Sequence, residues 1–360
     1  MVQQRLGIAW KFVRFVKTSI VGFKNLILRS NSELLKPTAI VYEVTDRCNS
    51  RCLHCNIWRR KPTDVVLTPE EIEHTFRDDL FQGVGYIIIT GGEAVIRDDI
   101  EDVVLRIHRA LPHARLQIST NGLLPGRILQ VVNAALMHNI SLDVGVSLDG
   151  IGDDHDKVRG VKGNFDKVDS LLRELIKLRE IYGNKLGVAA GIVLSDFTLH
   201  SLDMVRAYTM DLGIDLTEQW YNESPFYDNI SGAHSFSNEM IAAVKSQPDS
   251  PLRERWIRKL RNEPIIFSCF ALYTFFLLKC NGDVTPCLTF CDVTAGNVKK
   301  YSPTVIWHST EMKKARETVK NCQGCLNSWG ALWSFEASFY PILSFYFRHP
   351  RILLKKLCNK

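Results

Sequence analysis

The sequence predicts an α/β fold: a partial, TIM-like (β/α)6 barrel followed by a small cysteine-rich domain. Three observations lead there. From residue 38 to 221, short β-branched runs alternate with longer amphipathic stretches, the pattern of strand-helix units around a parallel sheet. Six such units over roughly 185 residues make an open barrel and not a complete eight-unit one. Beyond them, Cys269, Cys280, Cys287, Cys291, Cys322 and Cys325 fall at a density that a packed core does not call for.

Taken in order, strands are expected over 38–44, 86–90, 115–119, 141–147, 185–194 and 214–221. Helices are expected over 69–82, 98–110, 126–138, 164–182 and 198–211. The first helix start is well signed: Thr68 can cap it, Pro69 suits its first position, and Glu71 completes a capping box. Residues 226–264 lose the rhythm and read as a linker with some helix. In the cysteine-rich domain, 275–280 and 283–287 read as a hairpin, with Asn281-Gly282 supplying the positive φ angles of a two-residue turn. The chain thus divides into a basic amphipathic helix (1–37), a barrel (38–225), a linker (226–264), the cysteine-rich domain (265–330) and an apolar, then basic, tail (331–360).

With 360 residues and 46% hydrophobic content, the chain can bury a large core without disulfides. Arg14, Lys17 and Lys24 interrupt the first apolar stretch, so a secretory signal is not expected and the protein is placed in a reducing cytoplasm. There, closely spaced cysteines point to metal or redox chemistry. The net charge is +6, yet residues 1–32 and 348–360 hold eleven basic residues and no acid. Removing those eleven from 45 leaves 34 basic against 39 acidic residues, a slightly acidic body with two basic ends. That distribution argues against a nucleic-acid groove. Ala9, Phe12, Val13, Val16, Ile20, Phe23 and Ile27 recur at spacings of three and four, with Lys11, Arg14, Lys17 and Lys24 opposite. Such a helix suits a peripheral contact with an anionic membrane surface; docking of both termini on the barrel is the plainer alternative.

The segment Cys48-Asn49-Ser50-Arg51-Cys52-Leu53-His54-Cys55 directly follows the first strand, on the rim where barrel enzymes keep their chemistry. Three thiolates can hold three irons of a four-iron cubane and leave the fourth open, whereas an electron-carrying cluster normally takes four cysteines. Other turns follow at the ends of successive strands: Thr90-Gly91-Gly92-Glu93, Ser119-Thr120-Asn121-Gly122 and Val146-Ser147-Leu148-Asp149-Gly150; Arg159-Gly160, with Gly163 and Phe165, comes after the last of them. In order and spacing, these segments resemble the motifs of the radical S-adenosylmethionine superfamily, with its C-x3-C-x2-C signature and GGE segment. His54 stands at the usual aromatic position, and Ala94 where the family commonly has proline.

The resemblance implies that Cys48, Cys52 and Cys55 hold a [4Fe-4S] cluster whose open iron binds S-adenosylmethionine. It implies that Gly91, Gly92 and Glu93 lie against the cofactor, with Glu93 on its amino group. Asn121, Ser147 and Asp149 would complete the contacts, the last two on its ribose or carboxylate. Arg159 would pair with the carboxylate. The stretch Cys269-x12-Gly282-x4-Cys287, followed by Cys322-x2-Cys325, resembles SPASM and twitch extensions. It implies one auxiliary [4Fe-4S] cluster on Cys269, Cys287, Cys322 and Cys325, with Cys280 and Cys291 unassigned; a zinc ribbon is the alternative.

The expected function is therefore reductive cleavage of S-adenosylmethionine to a 5′-deoxyadenosyl radical, which abstracts a hydrogen from a substrate in the barrel. Oxidation, crosslinking or epimerisation of a peptide, or of a sugar- or lipid-linked small molecule, would follow. A low-potential reductant such as flavodoxin or ferredoxin would supply the electron. The rival class is a non-catalytic iron-sulfur or zinc protein, which needs four ligands at each site and has no use for Gly91, Gly92 and Glu93.

Overall fold

The structure, a computed structural model, describes residues 35–63, 65–230, 237–247, 249–261, 263–265, 269–322, 324–336, 347–348 and 350. The basic helix expected within 1–37 and most of the apolar and basic tail lie outside the described residues. Among the described residues, no helix is long and apolar enough to cross a membrane.

Six strands alternate with helices as the periodicity predicts. They are β1 (Ala39–Thr45), β2 (Tyr86–Gly91), β3 (Arg115–Thr120), β4 (Leu142–Ser147), β5 (Leu186–Leu194) and β6 (Asp215–Trp220), and each pairs parallel with the next. The helices are α1 (Pro69–Phe76), α2 (Ile100–Ala110), α3 (Pro125–Met137), α4 (Asp153–Arg159), α5 (Asn164–Tyr182) and α6 (Leu202–Asp211). Ile87, Ile88 and Ile89 are all buried, as in a parallel strand covered on both faces. The sheet does not close.

Two helices depart from expectation for local reasons. Helix α1 carries the capping box at Thr68 and Glu71, but it ends at Phe76 because Asp78 accepts a bond from the Leu80 N–H (2.9 Å) and starts a separate 3-10 turn. Helix α4 is short and charged, so apolar periodicity does not reveal it. Its signal is instead acids in the first turn, Lys157 and Arg159 in the last, and Gly160 in the left-handed cap at φ 70°.

After α7 (Asn238–Ser246) and α8 (Pro251–Leu260), the cysteine-rich region returns to the same sheet. Strand β7 (Phe275–Leu278) pairs parallel with β1 in the register Val41↔Leu277, and β8 (Asp283–Thr285) and β9 (Gly296–Asn297) extend the edge antiparallel. The nine strands run in the order β6-β5-β4-β3-β2-β1-β7-β8-β9. The β7–β8 turn spans three residues, not two: Lys279 N–H donates to the Asp283 carbonyl (2.8 Å), and of Asn281 and Gly282 only Gly282 has a positive φ (91°). Helices α9 (Pro303–Trp307), α10 (Thr310–Lys320) and α11 (Ser328–Glu336) follow.

The sheet has two distinct faces. On the helix side, Tyr42, Phe76, Phe81, Phe276 and Trp307 form a continuous aromatic row with centroid separations of 5.6–6.2 Å. On the concave side, one end is plugged by polar groups: Tyr86 donates to Gln117 (2.7 Å), and Arg115 forks onto Asp143 (2.5 and 2.8 Å). Toward the strand C-termini this face carries Gly145 and Ser147 on β4 and Ala189 and Gly191 on β5, all half-buried. Small side chains there leave the concave face room for a ligand.

Candidate active site

The cysteine loop leaves β1 and is held on both sides by backbone bonds. Arg51 N–H donates to the Arg159 carbonyl (3.0 Å) and Leu53 N–H to Val158 (2.9 Å). Gly160 is needed at this junction, because a Cβ there would overlap the Arg51 carbonyl and its φ is left-handed. On the far side Asn56 N–H donates to the Tyr227 carbonyl (2.8 Å), and Asn229 Nδ2 to the His54 carbonyl (3.0 Å). Ser50 is tucked inside, its N–H 3.5 Å from Cys48 Sγ and its Oγ 3.2 Å from Cys52 Sγ. Burial pushes the Cys48 thiol up to about 11 and the Cys55 thiol to about 12, with the neighbouring thiols adding to both. Those two thiols are therefore neutral without iron, and metal binding must release their protons.

The resemblance places Gly91 and Gly92 against a ligand; the structure places them against the chain's own cysteine loop. A Cβ on either would overlap the Thr45 or Arg47 carbonyl, while Gly92 and Glu93 N–H donate to those same carbonyls (2.8 Å each). Glu93 is 2% exposed and accepts from Thr120 Oγ1 (2.9 Å) and Asn121 N–H (2.6 Å). Burial raises its pKa against those donors, so a cation beside it would be welcome. Asn121 Nδ2 donates to Asn49 Oδ1 (2.8 Å), which ties the β3 turn to the cysteine loop.

Asp149 and Arg159 form a closed-off pair, Nη1 to Oδ2 at 2.9 Å with side-chain exposures of 8% for Arg159 and 0% for Asp149. The other carboxylate oxygen accepts Val193 N–H (2.9 Å), and His54 Nε2 stands 3.8 Å from Oδ2. Burial acts to raise the Asp149 pKa, but His54, Arg159 and the Val193 N–H hold it below the usual range. Asp149 is thus turned inward and orients Arg159. For Arg159, burial opposes its charge, and the Asp149 carboxylate sustains it. Its Nε is buried without an acceptor among the described residues. A buried cationic donor in want of an acceptor, beside three thiols and a buried carboxylate, fits a cluster-bound amino acid carrying both a carboxylate and an ammonium. Ser147 is half-buried on the concave face, free to meet such a ligand.

The four cysteines expected to act as auxiliary ligands come together. Cys269, Cys287, Cys322 and Cys325 line a single cavity whose remaining walls include Ala271, Phe275, Val319 and Ala331. Among the described residues no three Cys, His, Asp or Glu converge as they would around one ion. Burial pushes Cys325 up to about 11, with Cys269 adding and Arg255 opposing. Gly324 N–H points at Cys322 Sγ (3.3 Å). Soft sulfur donors around an apolar cavity fit an iron-sulfur cluster. Cys280 and Cys291 do not line it.

Sequence patterns gave no hint of Glu43. It is 1% exposed on β1, its Oε2 without a partner among the described residues. Burial pushes its carboxyl from 4.5 up to about 7, opposed by Lys279 and reinforced by Asp46. Between those values the folded protein holds a proton that the unfolded chain has lost, so this carboxyl's contribution to stability falls as pH rises from 4.5 to 7. The iron-free protein should lose about 3 kcal/mol across that window on this account. Urea denaturation at several pH values checks it: Glu43→Gln should flatten the slope, and an unchanged slope refutes the assignment.

Comparisons with known proteins agree with this geometry. Residues 42–194 match the family described as the radical SAM superfamily, and residues 269–326 match SPASM, an iron-sulfur cluster-binding domain. Fe-coproporphyrin III synthase of Methanosarcina barkeri is 35% identical over 155 residues, 42% of this chain and 36% of that protein. Mycofactocin maturase MftC of Mycolicibacterium smegmatis is 31% identical over 159 residues, 44% of this chain and 39% of that protein. The matched stretch therefore spans well under half the length of either relative. In fold, the chain is similar to Streptococcus suis SuiB, solved with S-adenosylmethionine (TM-score 0.58, 15% identity, 82% of this chain and 70% of that one) and also with the precursor peptide SuiA. The two thiol sites, the buried acid and arginine, and the two matched segments identify residues 42–194 of this chain as a radical SAM domain and residues 269–326 as a SPASM iron-sulfur domain.

Proposed function

We propose that this protein removes a hydrogen atom from a peptide lodged on the open concave face and oxidises, crosslinks or epimerises it. The observation that carries this reading is the pairing of β1 with β7. The strand feeding the Cys48, Cys52 and Cys55 loop lies directly beside the strand whose Phe275 lines the four-thiol cavity, so one sheet carries both sites. Bound S-adenosylmethionine and its reduced cluster supply the 5′-deoxyadenosyl radical. The chain's own part is positioning. Arg159, oriented by Asp149, takes the methionine carboxylate, Glu93 takes the ammonium, and Ser147 meets the ribose. Cys269, Cys287, Cys322 and Cys325 would hold the auxiliary cluster, which would supply an acceptor for the electron left on substrate. The likeness to a maturase and to a fold solved with a precursor peptide supports a peptide substrate. Flavodoxin or ferredoxin is the reductant class.

Anaerobic reconstitution tests the reading. Two four-iron clusters require about eight iron atoms per chain. The loaded protein should form 5′-deoxyadenosine on addition of S-adenosylmethionine and dithionite, and more of it when the right peptide is present. A fully loaded protein that forms none is not a radical enzyme, and zinc in the second site returns that site to a structural role.

A further inference from the structure

Arg255 lies on α8, in the stretch between barrel and SPASM domain that the sequence marks as a linker with some helix. It is 1% exposed and lines the same cavity as Cys269, Cys287, Cys322 and Cys325. Its guanidinium rests against the turn joining Cys322 to Cys325: a Cβ added at Gly324 would lie 3.3 Å from Arg255 Nη2, and Gly324 has a φ of 82°. A glycine there lets both the turn and the guanidinium occupy that corner. The helix carrying the arginine is itself well anchored. Ser250 Oγ caps it by accepting the Arg253 N–H (3.1 Å), and Trp256 packs edge-on against Trp220 of β6 at 5.8 Å.

We propose that Arg255 sets the reduction potential of the auxiliary cluster, holding it ready to accept one electron from the substrate radical. This rests on reading the cavity as an iron-sulfur site. Reduction moves the cluster core from 2+ to 1+ and makes the whole thiolate-ligated group more negative by one charge. A fixed positive charge at the cavity wall favours that change, and a guanidinium only 1% exposed is screened by salt less than a surface charge. Net charge and local polar groups are the levers by which proteins tune such clusters. The electron balance is complete: the substrate loses a hydrogen atom to the nucleoside radical, then one electron to the cluster and one proton to a base or solvent. Arg255 touches no substrate and is a positioning charge, distinct from the ligands.

The test compares wild type, Arg255→Lys and Arg255→Gln as iron-loaded full-length proteins in redox titrations followed by electron paramagnetic resonance. The Cys48, Cys52 and Cys55 triple alanine variant identifies which signal is auxiliary. Arg255→Gln should lower the auxiliary midpoint potential by a tenfold change in the reduction equilibrium or more, 59 mV for a one-electron couple. Arg255→Lys, which keeps the charge, should stay within half of that shift. An iron-loaded Arg255→Gln with the wild-type potential overturns the proposal, as do two variants shifted alike, because lost packing and not lost charge would then be responsible. If neither variant loads iron, the arginine is a structural prop and the proposal fails. Zinc in the wild-type cavity would overturn the cluster reading itself, which an iron-loaded variant with unchanged potential would leave standing.

Discussion

Replacing Cys48, Cys52 and Cys55 together with alanine is expected to reduce 5′-deoxyadenosine formation to background while leaving about four of about eight iron atoms bound. The loop should survive the change. Its backbone is held by Arg51 to Arg159, Leu53 to Val158, Asn56 to Tyr227 and Asn229 to His54, and none of these bonds uses a cysteine side chain. The four-thiol cavity draws no residue from the loop, so its iron should stay. The measurement is paired: iron content by chemical assay, and nucleoside by chromatography. Cleavage at the wild-type rate would remove the loop from the chemistry. Loss of all iron would mean that the two sites load as one unit.

Asp149→Ala should be the most damaging single substitution at the site, costing about 3–5 kcal/mol of stability in the iron-free protein. The reason is what it leaves behind. Arg159, 8% exposed at its side chain, would lose the carboxylate 2.9 Å away and remain a buried charge without its neutralising partner. The Val193 N–H would lose its acceptor at 2.9 Å as well. Asp149→Asn keeps the shape but not the charge and should fall between wild type and alanine. Urea midpoints at neutral pH decide it: a loss below about 1 kcal/mol would show the pair to be effectively solvated. In the cofactor-loaded protein, both variants should also weaken S-adenosylmethionine binding, since Arg159 would no longer be aimed.

Much of this site is legible along the chain because its parts are local. The strands repeat with an alternation that any parallel sheet imposes. The cysteine triplet, Gly91-Gly92-Glu93 and Arg159-Gly160 each occupy a short stretch at or just past the end of a secondary-structure element. Even α4, which apolar periodicity passes over, is marked by its charges and by Gly160.

What the chain does not reveal is which distant groups meet. Gly91 and Gly92 look like a ligand cradle, but their missing side chains make room for the Thr45 and Arg47 carbonyls. Asp149 reads as a cofactor contact, but Arg159, His54 and Val193 occupy it from three other segments. The sequence by itself determined the strand-helix order, the thiol spacing and the residue types able to hold iron and a zwitterionic cofactor. Only the tertiary structure decided that the cysteine-rich module joins the barrel sheet through β7 beside β1, and that Glu43 and Arg255 are closed off from water. Strand pairing and desolvation depend on surfaces far apart in sequence, and no local pattern of residues encodes where those surfaces come together.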